Sequence, residues 1–146
     1  MATNSQLQTL IELAQQKTDA AVKRLGQATA AVQQAQQKLE MLHSYRDDYV
    51  AKMQARGANG ISGQAYTNYL AFMQKLDNAI EGQKDVIRLA ERRLEAEKKA
   101  WQEEEKKRLS YETLHKRALQ RAVQKENKRD QRAMDEFAAR RAFDQR

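Results

Sequence analysis

Two histidines and a run of three glutamates are the residues of this chain best suited to acid–base or metal chemistry. His43 and His115 are isolated in the sequence. Glu103 to Glu105 are consecutive, so on a helix their carboxylates point in different directions and cannot converge on one metal ion. The 146 residues include no cysteine and no Gly-x-x-x-x-Gly-Lys-Ser/Thr phosphate loop. We therefore predict that the chain is not an enzyme and has no catalytic residue, no metal site and no cofactor.

Helix-forming residues dominate the chain that would have to position any such site. Charged residues make up 32% of it, and proline, which most reliably stops a helix, is absent. We therefore expect an all-α fold without a sheet. No run approaches the roughly 20 apolar residues that cross a bilayer, and the N-terminus lacks the features of a signal peptide. These features predict a soluble chain with no transmembrane segment.

Apolar residues recur in alternating steps of three and four along two long stretches, which is typical of a coiled-coil seam. The first stretch consists of Leu7, Ile11, Ala14, Thr18, Ala21, Leu25, Ala28, Val32, Ala35, Leu39, Leu42, Arg46, Tyr49 and Met53. The second consists of Tyr66, Tyr69, Met73, Leu76, Ile80, Gln83, Ile87, Ala90, Leu94, Glu97 and Trp101.

A glycine-rich break separates the two stretches, and it predicts a turn. Residues 57–63 contain three of the five glycines of the chain, and Ser62 can cap the helix that follows. We predict a single domain over residues 1–146: a long antiparallel two-helix coiled-coil hairpin with helix 1 at about 4–56, a loop at 57–63 and helix 2 at about 64–140. Facing seam residues then have position numbers that add to 118 or 119, as do Ala35 with Gln83 and Leu39 with Ile80.

The same register leaves the C-terminal part of helix 2, from about residue 116, without a facing partner. This basic tail, residues 116–146, contains ten basic and five acidic residues, which gives it +5 of the net charge of +7. Its apolar residues are Leu119, Val123, Met134, Phe137 and Phe143. A basic helix of this kind could insert into an acidic protein cavity, lie on an anionic membrane or hold phosphates, and charge alone does not choose among them.

A group of apolar and aromatic residues near the loop forms a second candidate site. In the predicted register, Leu42, Tyr45 and Tyr49 of the first arm lie beside three residues of the second. We call these six residues, Leu42, Tyr45, Tyr49, Phe72, Leu76 and Ala79, the aromatic patch. Leu42, Tyr49 and Leu76 are seam positions that broaden the core. The other three lie one position off the seam, where an exposed apolar group more often binds a partner.

Several segments outside the seam resemble the FliJ family, the small soluble component of the flagellar type III export apparatus. They are the loop Gly-Ala-Asn-Gly-Ile-Ser at 57–62, Tyr69-x-x-Phe72 with the apolar residues that follow it, the region of Trp101, and the segment from Glu126 to Ala138 that includes Met-Asp-Glu-Phe-Ala. The loop and the last segment are not required by any heptad, so they make the resemblance specific. It covers essentially the whole chain.

The resemblance implies a non-catalytic rod, similar to the central stalk of rotary ATPases, that acts in bacterial flagellum biogenesis, motility and chemotaxis. Its implied partners are the hexameric flagellar export ATPase, the cytoplasmic part or linker of the export gate membrane protein, and export chaperones. The implied location is the cytoplasm, peripherally at the inner membrane of the flagellar base. The aromatic patch would bind the gate, and the tail would bind the ATPase ring through Arg121, Arg129, Arg132, Met134 and Phe137.

Two other interpretations share the predicted fold. One is a basic coiled coil that binds RNA or DNA through its tail, and the other is a generic scaffolding coil. The register offers no base-reading motif, so nucleic acid is not expected as a partner.

Overall fold

Two long helices account for nearly all of the computed structural model, which describes residues 4–145. Helix α1 spans Asn4–Gly57 and helix α2 spans Gly63–Asp144. The two helices pack against each other in an antiparallel hairpin, and residues 4–145 contain no strand. The all-α hairpin expected from the sequence is therefore confirmed.

The turn between the helices depends on one glycine and one cap. Gly60 has a φ of +83°, in the left-handed region that residues with a Cβ rarely adopt. The side chain of Ser62 accepts a hydrogen bond from the backbone N–H of Ala65 at 3.1 Å, which satisfies one of the unpaired donors at the start of α2. Ser62 is thus the N-cap of α2, as the sequence predicts.

The described residues form two compact units, and most of their buried residues lie in the loop unit, Ala20–Gln102. Small residues of α1 face larger residues of α2 there, so the two backbones can approach closely. The buried residues of this unit are Ala21, Ala28, Val32 and Ala35 on α1 and Met73, Leu76, Ile80 and Gln83 on α2. The side chain of Gln83 donates a hydrogen bond to the backbone carbonyl of Ala35 at 2.9 Å. This contact agrees with the predicted register, in which the position numbers of these two residues add to 118.

One seam assignment in the loop unit is wrong. Tyr66 continues the periodic pattern, but its side chain is 50% exposed. It lies in the first turn of α2, where the facing helix is about to end, and Ile61 and Ala65 are half-buried there instead. The ring of Tyr66 still contacts that of Tyr69, with 6.3 Å between ring centroids.

The terminal unit consists of α1 up to Asp19 and α2 from Glu103 onward, and its seam is more polar. Leu7, Ala14 and Thr18 are buried on α1. The half-buried residues of α2 that continue the seam spacing are Glu104, Arg108, Tyr111, His115 and Ala118. Three buried polar atoms have no hydrogen-bond partner among the described residues: Thr18 Oγ1, Glu104 Oε2 and His115 Nδ1. Because unpaired buried polar atoms are unfavourable, this seam is expected to be less stable than that of the loop unit.

Acid is expected to weaken the terminal unit through one carboxylate. A hydrogen bond from Arg108 lowers the pKa of Glu105 below its ordinary value. The ion pair therefore stabilises the helix above the unfolded pKa and loses that effect as the pH falls through the folded pKa. We expect a change from about pH 6 to about pH 3 to lower the Tm of the natural chain more than that of Glu105→Gln, measured by circular dichroism.

A matched control for this prediction is Glu103→Gln. Glu103 lies 3.9 Å from Lys106, and both side chains are well exposed, so this variant should show the same acid-induced fall in Tm as the natural chain. Equal pH dependence in the Glu105→Gln variant and the natural chain would contradict the prediction.

The C-terminal part of α2 has no facing helix among the described residues. Every residue from 119 to 145 is exposed, although the helix continues to Asp144. In residues 4–145, neither helix contains a stretch that is long and apolar enough to cross a lipid bilayer.

Candidate docking surfaces

The aromatic patch divides between the seam and the surface of the loop unit. Leu76 is buried, and Leu42 and Tyr49 are half-buried, as expected for seam positions. Tyr45 and Phe72 are 58% and 42% exposed, and Ala79 is also exposed. The patch thus places two large aromatic side chains at the surface, next to the buried and half-buried residues of the seam.

Ring contacts hold the two helices together at the patch. The ring centroid of Tyr49 lies 4.4 Å from that of Phe72 and 5.6 Å from that of Tyr69. Aromatic pairs at these separations contribute about 0.5–1.5 kcal/mol beyond their area burial. Phe72 is therefore held in place by Tyr49 while its other side stays open to solvent.

A shallow groove of about 370 Å³ lies at the patch. It is lined by Tyr45, Asp48, Tyr49, Lys52, Phe72 and Leu76. An open apolar groove with a few polar residues at its rim suits the insertion of a partner's side chains. Leu42 and Ala79 do not line it.

Two residues of this groove were missed by the sequence analysis. Asp48 and Lys52 are polar, so an apolar periodicity does not select them. The signal that could have found them is spacing, because Asp48 follows Tyr45 by three residues and Lys52 follows it by seven. Residues at these spacings share one side of a coiled-coil helix.

Arg46 of α1 and Asp77 of α2 form an ion pair near the aromatic patch. Arg46 occupies a seam position, and its guanidinium donates a hydrogen bond to the Asp77 carboxylate at 2.8 Å. This hydrogen bond, together with the charge of Asp77, raises the pKa of Arg46. A charged residue is tolerated in the seam here because its head group leaves the apolar layer and pairs at the edge.

The basic tail presents its charged and apolar residues to solvent together. Arg121, Arg129 and Arg132 are exposed, and the side chains of Met134 and Phe137 are 72% and 68% exposed. Large exposed apolar side chains on a helix without a facing partner are typical of a binding surface. This arrangement can bind a partner that offers negative charge and an apolar surface.

The two histidines considered for acid–base or metal chemistry belong to different units. His43 is exposed in the loop unit, and His115 is half-buried in the terminal unit. The described part of the chain contains no group of three or more His, Cys, Asp or Glu residues that could hold a metal ion.

Comparison with known proteins agrees with the resemblance in the sequence. The family model described as "Flagellar FliJ protein" matches residues 3–146. The chain is 34% identical over 143 residues to the flagellar FliJ protein of Salmonella typhi, and the match covers 98% of this chain and 97% of the relative. It is 31% identical over 143 residues to the flagellar FliJ protein of Escherichia coli (strain K12), with the same two shares covered. The chain therefore belongs to the FliJ family of flagellar proteins.

Proposed function

We propose that this chain is a non-catalytic, stalk-like component of flagellar type III protein export that connects the export ATPase to the export gate. Membership of the FliJ family supports a role in flagellar export. In this role the chain acts as one domain, a hairpin that continues into the basic tail. It works in the cytoplasm and is peripherally associated with the inner membrane at the flagellar base.

One observation carries the proposal: the chain exposes two surfaces of different chemistry on two different units. The aromatic patch belongs to the loop unit and offers neutral rings, whereas the basic tail belongs to the terminal unit and offers arginines with scattered apolar residues. A protein that connects two different partners needs two such surfaces.

The basic tail is the proposed contact with the hexameric ATPase ring. Arg121, Arg129 and Arg132 would pair with acidic groups of the ring, and Met134 and Phe137 would enter apolar contacts. A ligand that binds only the assembled ring favours assembly by mass action, so the tail would promote ring formation.

The aromatic patch is the proposed contact with the cytoplasmic part or linker of the export gate membrane protein. Tyr45 and Phe72 would act as anchors there, because large aromatic side chains dominate most interface energies. Escort of export chaperones is part of the same proposal, and family membership is its support.

A pull-down with purified export ATPase and a cytoplasmic gate fragment tests the two assignments separately. A chain that ends at Arg117 lacks nearly all of the tail and should lose ATPase binding. It should keep gate binding, because the loop unit is unchanged. Circular dichroism and gel filtration check that the shortened chain is still a folded hairpin.

The matched control is the full chain with Phe72→Ala, which should show the reverse pattern, with less gate fragment captured and the ATPase retained. Retention of the ATPase by the shortened chain would contradict the assignment of the tail.

The salt dependence of binding by the tail distinguishes the ATPase contact from the nucleic-acid alternative, because affinity for phosphates falls steeply with salt. A contact that buries Met134 and Phe137 should retain a part of its affinity at high salt, because apolar contacts are not screened by salt.

A further inference from the structure

The loop unit has two flanks of opposite chemical character. In each helix, the residues directly before the seam residues lie on one flank, and the residues directly after them lie on the other. One groove is lined by Tyr45, Asp48 and Lys52 of α1 and by Phe72 of α2, which shows that the first flanks of the two helices lie side by side there. We call this first flank of residues 20–102 the apolar–basic face.

Exposed apolar residues concentrate on the apolar–basic face. Eight large apolar side chains of the loop unit are exposed, and five of them belong to this face. These five are Met41, Tyr45, Phe72, Val86 and Leu89, between 42% and 63% exposed. Only Tyr45 and Phe72 belong to the aromatic patch, so the apolar surface continues well beyond that patch along α2.

Charge divides between the flanks in the same way. The apolar–basic face of the loop unit carries five basic residues and one acidic residue, Asp48, a net charge of +4. The basic residues are Arg24, Lys38, Lys52, Lys75 and Arg93. The opposite flank carries three basic and six acidic residues, a net charge of −3. The acidic ones are Glu40, Asp47, Asp77, Glu81, Glu91 and Glu95.

Most of the cations on the face are free to pair with a partner. Arg24 forms an ion pair with Glu97 at 3.2 Å. The other four basic residues of the face form no ion pair with any residue that the structure describes. Free cations beside exposed apolar side chains require an occupant that is both acidic and apolar.

We propose that the apolar–basic face binds one acidic amphipathic α-helix of a partner protein, which packs along the hairpin as a third helix. The 22 residues from Phe72 to Arg93 extend about 32 Å, which is room for about six turns of a partner helix. Gly82 lies midway, and apart from its two chain neighbours and the adjacent backbone of its own helix nothing lies within 4 Å of the place where its Cβ would be, so the partner backbone can come close there. The inference rests on the proposed function at the aromatic patch and extends that contact along α2 from Ala79 to Arg93, by about four turns.

The chemistry of the face disfavours two other occupants. A second copy of this chain would bring its own face of +4 against the first, and like charges repel. An anionic membrane could satisfy the lysines, but the groove between the helices at Leu76 suits the inserted side chains of a helix better than a flat surface.

Binding of two designed helical peptides to the full chain tests the proposal. The first peptide has leucines at coiled-coil spacing and glutamates at the other positions, and the second has lysines in place of the glutamates. By fluorescence anisotropy, the glutamate peptide should bind and the lysine peptide should not. Leu89→Glu and Arg93→Glu should each lower the affinity for the glutamate peptide by at least about tenfold.

Matched controls come from the opposite flank. Leu70 is 50% exposed and Lys98 is also exposed, so Leu70→Glu and Lys98→Glu change the same residue types without touching the face. Both should lower the affinity for the glutamate peptide by less than about twofold, and all four variants should keep the helix signal of the natural chain. Equal binding of both peptides, or equal losses on both flanks, would overturn the proposal.

Two further measurements complete the test. The proposal falls if the chain binds vesicles containing phosphatidylglycerol but not the glutamate peptide, or if the Leu89→Glu substitution disrupts a dimer of this chain. The gate fragment, measured on the same variants, separates this inference from the proposed function. If that fragment binds through Phe72 while the glutamate peptide fails to bind, the proposed gate contact stands and the third-helix inference is wrong.

Discussion

Replacing both Tyr45 and Phe72 with alanine should lower the affinity for the export gate fragment by about 100-fold, because two aromatic anchors are removed from one groove. Each residue is more than 40% exposed in the free chain, and the proposed gate contact would bury that exposed area. Isothermal titration calorimetry with the gate fragment measures the loss directly. The single variants should each lose less than the pair, and the Phe72→Ala variant should lose more than the Tyr45→Ala variant, because Phe72 also contacts Tyr49.

The fold should survive these substitutions. Tyr45 and Phe72 are 58% and 42% exposed, so their removal leaves no enclosed cavity. The helix signal should change little, and the Tm should fall by less than on truncation of a buried seam residue. Leu70→Ala is the matched control, since Leu70 is 50% exposed on the opposite flank and should leave gate binding unchanged. A large loss of helix signal in the double variant would instead place Tyr45 and Phe72 in the core and remove the basis for the gate contact.

The seam could be predicted almost completely from the sequence, because the spacing of apolar residues sets the buried side of a helix. The register also followed, since Gln83 lies against Ala35 as the position numbers require. Tyr66 was wrongly assigned to the seam for a physical reason: periodicity continues to the start of a helix, whereas burial also needs a facing residue, and α1 ends close by at Gly57.

Side-chain partners could not be predicted from spacing. Arg46 occupies a seam position in the sequence pattern, and only coordinates show that its guanidinium reaches Asp77 at the edge. The same limit applies to Thr18, Glu104 and His115. They fit the seam by position, but their buried polar atoms lack partners among the described residues. A linear pattern gives the phase of a helix, and hydrogen bonds depend on the rotamer that each side chain adopts within it.

The residues of the candidate site also divide into those that the sequence pattern predicts and those that it does not. The six residues of the aromatic patch follow from periodicity and register, because both fix which positions lie beside one another. The groove residues Asp48 and Lys52 do not follow, since their polarity hides them from an apolar pattern. Function itself followed from neither. A hairpin of this kind suits many roles, and the link to flagellar export comes from the family match.

Replacing Ile80 with alanine should destabilise the hairpin more than any exposed substitution. Ile80 is 5% exposed in the seam of the loop unit, and the register places Leu39 opposite it. Truncating a buried isoleucine to alanine removes apolar contacts and leaves a cavity, which costs about 2–5 kcal/mol. For a chain of this length that corresponds to a fall in Tm of roughly 5–15 °C, measured by circular dichroism at 222 nm.

The control for this prediction is Leu89→Ala. Leu89 also loses a large aliphatic side chain, but it is 63% exposed, so the Tm should move by no more than about 2 °C. Equal losses in the two variants would mean that the seam does not carry the stability of the hairpin.

The Ile80→Ala variant and the double alanine variant at Tyr45 and Phe72 together separate effects on folding from effects on binding. Ile80→Ala should weaken gate binding only near its lowered Tm, because the seam merely holds Phe72 and Tyr45 in place. By contrast, the double alanine variant at Tyr45 and Phe72 should bind the gate fragment about 100-fold more weakly at every temperature at which the hairpin is folded.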